Sequence, residues 1–290
     1  MREVVVLGAT SLIGHFLLPR LSGEGYRVRA VSRARHAPLP GIEWVQCDIT
    51  VSSDSSLLGP GSTVISLVPI WALTPWLERL PSPPARLLAF SSTSIHSKAT
   101  STSATERALA ERLRSGELAL QAHGERHGMG WDIFRPTMIY GAGRDQNVSF
   151  IARFIQQRGF FPLLGTASGL RSPVHADDLA QTVIRCLQRG PASNRAYDLM
   201  GGDQLSYRMM VGRIFKALGK NERFLPIPAA LARPAIRLAR CRPGWRHLTP
   251  EMVDRMAVDL IYDDSEARRD FGHQPRPFWP RRQDLLPDVR

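Results

Sequence analysis

The chain has 290 residues, 43% of them hydrophobic and 22% charged, with a formal net charge of +12. That size and balance fit a globular chain with one large core, or one core plus a small lobe. No apolar run approaches the roughly 18 residues that a membrane-spanning helix needs. Cys47, Cys186 and Cys241 are widely spaced with no C-x-x-C pair, and no signal peptide precedes the first strand, which points to a reducing, cytoplasmic location. Most of the basic residues are arginines, densest at Arg233, Arg237, Arg240, Arg242 and Arg246. No basic–aromatic module for specific nucleic-acid binding accompanies them. Peripheral contact with an anionic membrane surface, attraction to phosphorylated substrates and a merely solvated arginine surface all fit the charge.

The first element is a buried strand, Glu3 to Leu7, which runs into Gly8-Ala9-Thr10-Ser11-Leu12-Ile13-Gly14 and then a helix to about Ser22. A strand, a glycine turn and a helix in that order bring unpaired backbone N–H groups and a helix N-terminus to one spot. Both favour negative charge, so the turn suits a pyrophosphate. Its spacing is G-x-x-S-x-x-G, with Ser11 where glycine is usual.

Gly23 and Gly25 end that helix. Tyr26 to Ser32 alternates as a second strand, Ile42 to Gln46 is a third and Ser62 to Val68 a fourth. Trp71 to Leu80 reads as helical until Pro81, Pro83 and Pro84 break it. Arg86 to Phe90 is the fifth strand, followed by a long amphipathic helix from Thr105 to His123 and a sixth strand, Trp131 to Phe134. Val148 to Arg158 and Asp177 to Leu187 are helices, and Ala196 to Leu199 is a late strand. Beyond Leu205 helices dominate, punctuated by prolines 226, 228, 234 and 243. The alternation predicts an α/β fold, a doubly wound parallel Rossmann sheet with a smaller, mostly helical C-terminal substrate lobe. Residues 1–205 form the dinucleotide-binding domain, with a substrate-lobe insertion around 141–175, and residues 206–290 form the lobe.

The end of the second strand chooses the cofactor. An acidic residue there would hydrogen-bond the adenosine ribose, as NAD(H) requires. This chain has Ser32-Arg33, followed by Arg35, and a guanidinium beside a small hydroxyl suits a 2′-phosphate. NADP(H) is therefore favoured over NAD(H).

These features, in this order, resemble the extended or atypical short-chain dehydrogenases/reductases of the NAD-dependent epimerase/dehydratase group. Cys47-Asp48-Ile49 stands at that group's adenine-contacting acidic position. Phe90-Ser91-Ser92-Thr93 resembles its active-site strand end, and Arg135-Pro136-Thr137-Met138-Ile139-Tyr140-Gly141 its R-P-x-x-x-Y-G turn. Arg171-Ser172-Pro173-Val174-His175-Ala176-Asp177-Asp178 resembles R-x-x-x-H-x-x-D. Asp264-Ser265-Glu266-Ala267-Arg268 with Phe271-Gly272-His273-Gln274-Pro275 resembles a C-terminal D-x-S-K-A…L-G-W-x-P. The resemblance implies a dinucleotide held along Gly8 to Gly14, Ser32, Arg33, Asp48, Ile49 and the Pro136 turn. It also implies a substrate oxygen oriented by Thr93 with Ser92 beside it, an anionic substrate group bound by Arg171, and dimerisation through the long helices. Arg144 and Asn147 are placed in the same substrate lobe.

One departure bears on the chemistry. The group carries a Tyr-x-x-x-Lys pair on the long helix, the tyrosine acting as acid or base. With Glu117 matched to the acidic residue that follows the lysine, Leu109 takes the tyrosine's place and Leu113 the lysine's. Leucine cannot transfer a proton. His96 and Lys98, just past the fifth strand, have workable proton chemistry and are the candidate donors; Tyr140 is a remoter one. His123 and His127 stand four apart but have no third ligand, so no metal site is expected. Three functions remain open: an atypical oxidoreductase or epimerase acting on a small polar, nucleotide-linked molecule; an NADP(H)-binding module that has lost catalysis; and a redox-neutral isomerase or cyclase. Leu225 to Trp245, apolar and arginine-rich, suits buried helices of the lobe or a membrane interface.

Overall fold

The structure, a computed structural model, describes residues 2–52, 55–59, 61–228, 230 and 256–287. Cys241 and the densest arginine cluster, Arg233 to Arg246, lie outside these residues, as does most of the stretch from Leu225 to Trp245.

Strands β1 (Glu3–Leu7), β2 (Arg27–Ser32), β3 (Ile42–Gln46), β4 (Thr63–Ser66), β5 (Arg86–Phe90) and β6 (Gly130–Pro136) alternate with helices α1 (Leu12–Gly23), α2 (Leu73–Leu77), α3 (Ser94–Ser97) and α4 (Ala104–His127). The second half adds β7 (Ile139–Tyr140), α5 (Val148–Arg158), β8 (Phe161–Leu164), β9 (Leu170–Arg171), β10 (Val174–His175), α6 (Ala176–Arg189), β11 (Arg195–Leu199), β12 (Leu205–Ser206), α7 (Tyr207–Ala217) and β13 (Phe224–Ile227). Two short helices follow, Ser265–Phe271 and Arg282–Leu285.

Seven strands form one parallel sheet in the order β11-β6-β5-β4-β1-β2-β3. The strand order reverses between β1 and β4, and ligands of open parallel sheets bind in the crevice at such a point. The period-2 geometry of β1 sends Val4 and Val6 to one face, among Leu17 and Leu21 of α1 and Leu179 and Val183 of α6. Val5 and Leu7 go to the other, with Trp76 of α2 and Leu113 and Leu120 of α4. Both faces are covered, which is why the strands read as continuous apolar runs. A separate cluster beyond the strand ends joins Val148, Ile151 and Ile155 of α5 with Met210, Ile214 and Phe215 of α7, and with Phe278 and Leu285 near the C-terminus.

Several elements differ from the sequence expectation. The stretch Trp71 to Leu80 is a 3-10 turn, Ile70–Ala72, and then only Leu73–Leu77. The long helix runs past Gly124 to His127 and stops at Gly128 in the left-handed conformation. Gly124 lets it pass the sheet closely, because a Cβ there would lie 2.5 Å from the Trp131 ring. Phe224–Ile227 is a strand parallel to β8, where helix was expected. With β9–β12 and β7–β10 also paired, the lobe holds more strand than its helical pattern suggested.

Candidate functional site

The β1–α1 turn lies at the strand-order reversal. Gly8 has φ +69°, and a Cβ on it would sit 3.0 Å from Val68 and 3.1 Å from the Leu67 backbone, just past β4. Gly14 admits no side chain at all, since a Cβ would come 2.1 Å from the Ala9 carbonyl oxygen. Ser11 is the N-cap of α1, its hydroxyl accepting from the Gly14 amide at 3.1 Å. That bond satisfies one first-turn donor and leaves the Leu12 and Ile13 amides without helical carbonyl partners, at the positive end of the dipole. The serine in the glycine motif thus caps the helix. The Leu12 side chain is half-buried and that of Ile13 is in the core. Arg144, expected in the substrate lobe, reaches this turn: its Nη2 donates to the Thr10 carbonyl at 3.0 Å. Nearby His15 titrates below its ordinary value through burial and, second, the Arg144 charge.

The end of β2 forms a second corner. The Ser32 hydroxyl is held inside the protein, 2.9 Å from His36 Nε2 and accepting from the Ala34 amide at 3.2 Å. His36 lies against the Trp44 ring at 4.2 Å. Arg35 turns to Gln46 on β3 at 3.0 Å, and Gln46 in turn donates to the Arg33 carbonyl at 3.1 Å. The Arg33 side chain stays exposed. Hydrogen bonds from the Thr50 hydroxyl and amide, with the Arg33 charge adding, hold Asp48 below the usual carboxylate range. Arg33 and Asp48 therefore share this corner, whereas the Ile49 side chain is core.

At the ends of β5 and β6, the Thr93 amide and hydroxyl both bond the Pro136 carbonyl at 3.2 Å. Ser92 Oγ accepts from the Ser94 amide at 3.1 Å and starts α3. The Ser66 and Ser91 hydroxyls, at the ends of β4 and β5, are buried without a protein partner. Together with the glycine cradle, these unpartnered hydroxyls and first-turn amides fit the edge of a bound dinucleotide. The dinucleotide would lie from the Arg33 corner, over Gly8 to Gly14, toward Thr93 and Pro136.

Leu113 is buried in the apolar cluster under α4, and Leu109, partly buried, packs against it. Glu117 is nearly buried and paired with Arg135, whose Nε lies 2.9 Å from Glu117 Oε1 and whose Nη1 lies 3.8 Å from Asp198. Asp198 also meets His96 Nε2 at 3.1 Å. Lys98 ends α3, half-buried. Arg171 is buried, its Nη1 donating to the carbonyls of Leu170 and Val258 at 2.7 and 2.8 Å with the Tyr207 ring beneath it. Asn147 is exposed at the start of α5. Arg144 therefore belongs to the glycine turn, whereas the Arg171 guanidinium is held against the Leu170 and Val258 carbonyls.

The Tyr262 ring, from the C-terminal chain, lies 5.3 Å from that of His96, and burial raises its phenol above the ordinary value. Tyr140 is fully buried between His175 and Phe278, its phenol pushed up by burial far out of reach of neutral pH. His123 and His127 face each other at 4.4 Å, and no group of three or more metal-ligating side chains occurs among the described residues.

The model of the NAD dependent epimerase/dehydratase family matches residues 4–58 and 73–199, across the glycine turn, both strand ends and the long helix. The chain belongs to that family. A UDP-glucose 4-epimerase of Vibrio cholerae is 26% identical over 145 residues, 49% of this chain. The match spans only 41% of that relative's length. Among solved structures, UDP-glucuronic acid 4-epimerase from Bacillus cereus in complex with NAD aligns over 98% of this chain and 94% of that one, with TM-score 0.73 and 14% identity. UDP-glucose 4-epimerase from Thermotoga maritima with UDP-glucose aligns over 98% and 97%, with TM-score 0.70 and 14% identity. At that identity the likeness is one of fold. Among the described residues no helix is long and apolar enough to cross a membrane.

Proposed function

We propose that this family member is a nicotinamide-dinucleotide-dependent enzyme acting on a small polar substrate of the sugar-nucleotide class, with NADP(H) favoured over NAD(H). The β1–α1 turn carries the reading: Gly14 cannot bear a side chain, and first-turn amides face the crevice at the strand-order reversal. Arg33 supports the 2′-phosphate preference, since its corner has no carboxylate on β2 to meet a ribose diol. The dinucleotide would supply the hydride acceptor and donor. Thr93 orients the substrate oxygen, and Arg171 binds an anionic group of the substrate. The lobe of 141–175 and 206–290 covers the substrate, in a cytoplasmic protein that works as a homodimer.

Titration of the purified chain with NADPH and NADH, followed by turnover assays on UDP-sugars and small carbonyl compounds, tests this. Binding of neither dinucleotide overturns the reading. Arg33→Ala is expected to weaken NADPH by about tenfold, the scale of one charge-assisted hydrogen bond, while leaving NADH nearly unchanged; equal weakening of both removes the NADP(H) preference. One observation favours a second reading, a binding module without turnover: Leu109 and Leu113 are packed in apolar surroundings where a proton-transferring pair would stand. Tight NADPH binding with no turnover on any substrate would support it.

A further inference from the structure

Arg144 lies 134 residues from Thr10 in sequence, yet its Nη2 donates to the Thr10 carbonyl at 3.0 Å. The loop that carries it is built to hold it there. Gly141, Ala142 and Gly143 follow β7 with φ of +139°, +51° and +63°. Three positive φ values in a row turn the chain sharply, and Ala142 does so in a conformation that its Cβ disfavours. The Gly143 amide donates to the Asp284 carbonyl at 3.0 Å, and a Cβ on Gly143 would collide with the Leu286 and Pro287 backbone. On the other side, the buried Asp145 carboxylate accepts from the Asn147 and Ser149 amides at 2.9 and 3.1 Å, at the start of α5. Arg144 is thus fixed between the C-terminal chain and α5, with its guanidinium delivered to the glycine turn.

The neighbouring Asp145 carboxylate is engaged by the α5 amides, so the Arg144 charge acts on the turn. On α1 it adds to burial in holding His15 below its ordinary value. An uncovered carbonyl oxygen beside an anion site repels phosphate. The guanidinium covers the Thr10 carbonyl and sets a positive charge beside the first-turn amides of Leu12 and Ile13. That bond uses one of five guanidinium N–H donors, and the fork can serve a carbonyl and a phosphate oxygen together. We propose that Arg144 is a pyrophosphate ligand of the glycine turn, contributed to the dinucleotide site by the substrate lobe. This rests on the dinucleotide-dependent reading above. It gives Arg144 the phosphates that NADPH and NADH share, whereas Arg33 serves the 2′-phosphate of NADPH alone. Dinucleotide binding then ties the lobe to the sheet, because one guanidinium holds both the anion and the Thr10 carbonyl. A UDP-sugar carries the same pyrophosphate group, and the test separates the two sources.

Calorimetry on the full chain gives Kd for NADPH, NADH and UDP-glucose, for the wild type and for Arg144→Ala, Arg144→Gln and Arg144→Lys. Arg144→Ala is expected to weaken NADPH and NADH alike, by about tenfold, the scale of one charge-assisted hydrogen bond. Glutamine can keep a hydrogen bond to the Thr10 carbonyl without the charge, so Arg144→Gln should bind both dinucleotides as weakly as Arg144→Ala. Lysine keeps the charge, and Arg144→Lys should recover part of the loss. Dinucleotide binding unchanged in Arg144→Ala overturns the proposal. Full recovery in Arg144→Gln overturns it too, since Arg144 would then only hold the turn. Weaker UDP-glucose binding with both dinucleotides unchanged returns Arg144 to the substrate. These three results leave the dinucleotide reading standing. A wild type that binds neither dinucleotide removes both.

Discussion

Single residues decide the site through what they lack as much as through what they carry. Gly14 is the sharpest case, because its missing side chain lets α1 approach the Ala9 carbonyl. Gly14→Ala should therefore cost about 3 kcal/mol of stability from overpacking and abolish dinucleotide binding, read by urea unfolding and NADPH titration; a variant that binds NADPH normally would contradict the assigned role of the turn. Leu109 and Leu113, matched to the family's tyrosine and lysine by counting back from Glu117, pack into the apolar cluster under α4. The structure sets Glu117 of α4 against Arg135 of the following strand β6, a contact that no periodicity announces. Ser11 shows how one residue carries two roles: it was read as a tolerated substitute for glycine, and it is also the N-cap of α1. The residue scale is also where the sequence fell short, since Arg144, expected in the substrate lobe, bonds the Thr10 carbonyl instead.

Elements were read correctly where one face is buried or both are, because burial writes period 2 or period 3.6 into the sequence. The six strands of the first half and helices α5 and α6 follow that rule. Errors came where a segment is short and its partner remote: Phe224–Ile227 pairs with Phe161–Leu164, so its strand state depends on a neighbour that local pattern does not encode. Docking between elements is carried by arginines rather than by apolar area alone. Asp177 at the start of α6 bonds Arg20 of α1 and Arg276 of the C-terminal chain, each at 2.7 Å. Burial alone would raise the Asp177 pKa, but these two partners outweigh it and hold the carboxyl below its usual range. Its depressed value contributes stability that is complete above the unfolded pKa of about 3.9 and is lost as pH falls through the folded value. Arg276→Ala should lower stability by about 1 kcal/mol near neutrality, the scale of a partly exposed pair. It should also shrink the acid-induced loss, as urea midpoints measured along a pH series would reveal; an unchanged series would mean the pair is not coupled to folding.

Across the whole molecule the C-terminal chain is the part that closes the structure. His273 is buried where α6, the end of β11 and this chain meet, donating from Nε2 to the Met200 carbonyl at 2.8 Å, with its Nδ1 2.8 Å from the Thr182 hydroxyl. Burial pushes its pKa below the ordinary histidine value. The folded protein keeps the ring neutral while the unfolded chain protonates it, so stability is full above about pH 6.5 and declines as pH falls through the lowered folded value. Urea unfolding near pH 7.5 and 5.5 should show a lower midpoint at the acid value, and His273→Asn, although destabilised, should show a smaller difference; an equal difference would point to other groups. The net charge of +12 is partly absorbed in such tertiary ties, among them Arg86 with the fully buried Asp132 at 2.9 Å. Sequence by itself determined that this chain wraps helices around a parallel sheet, that a glycine turn follows its first strand and that leucines stand at positions 109 and 113 of its long helix. Each of these is written in residues a few positions apart, through burial periodicity, glycine sterics and side-chain chemistry. Only the tertiary structure decided that Arg144 closes on the Thr10 carbonyl and that His96 meets Asp198. Those contacts join segments distant in the chain, and their geometry depends on how the lobe folds back over the strand ends, which no local pattern records.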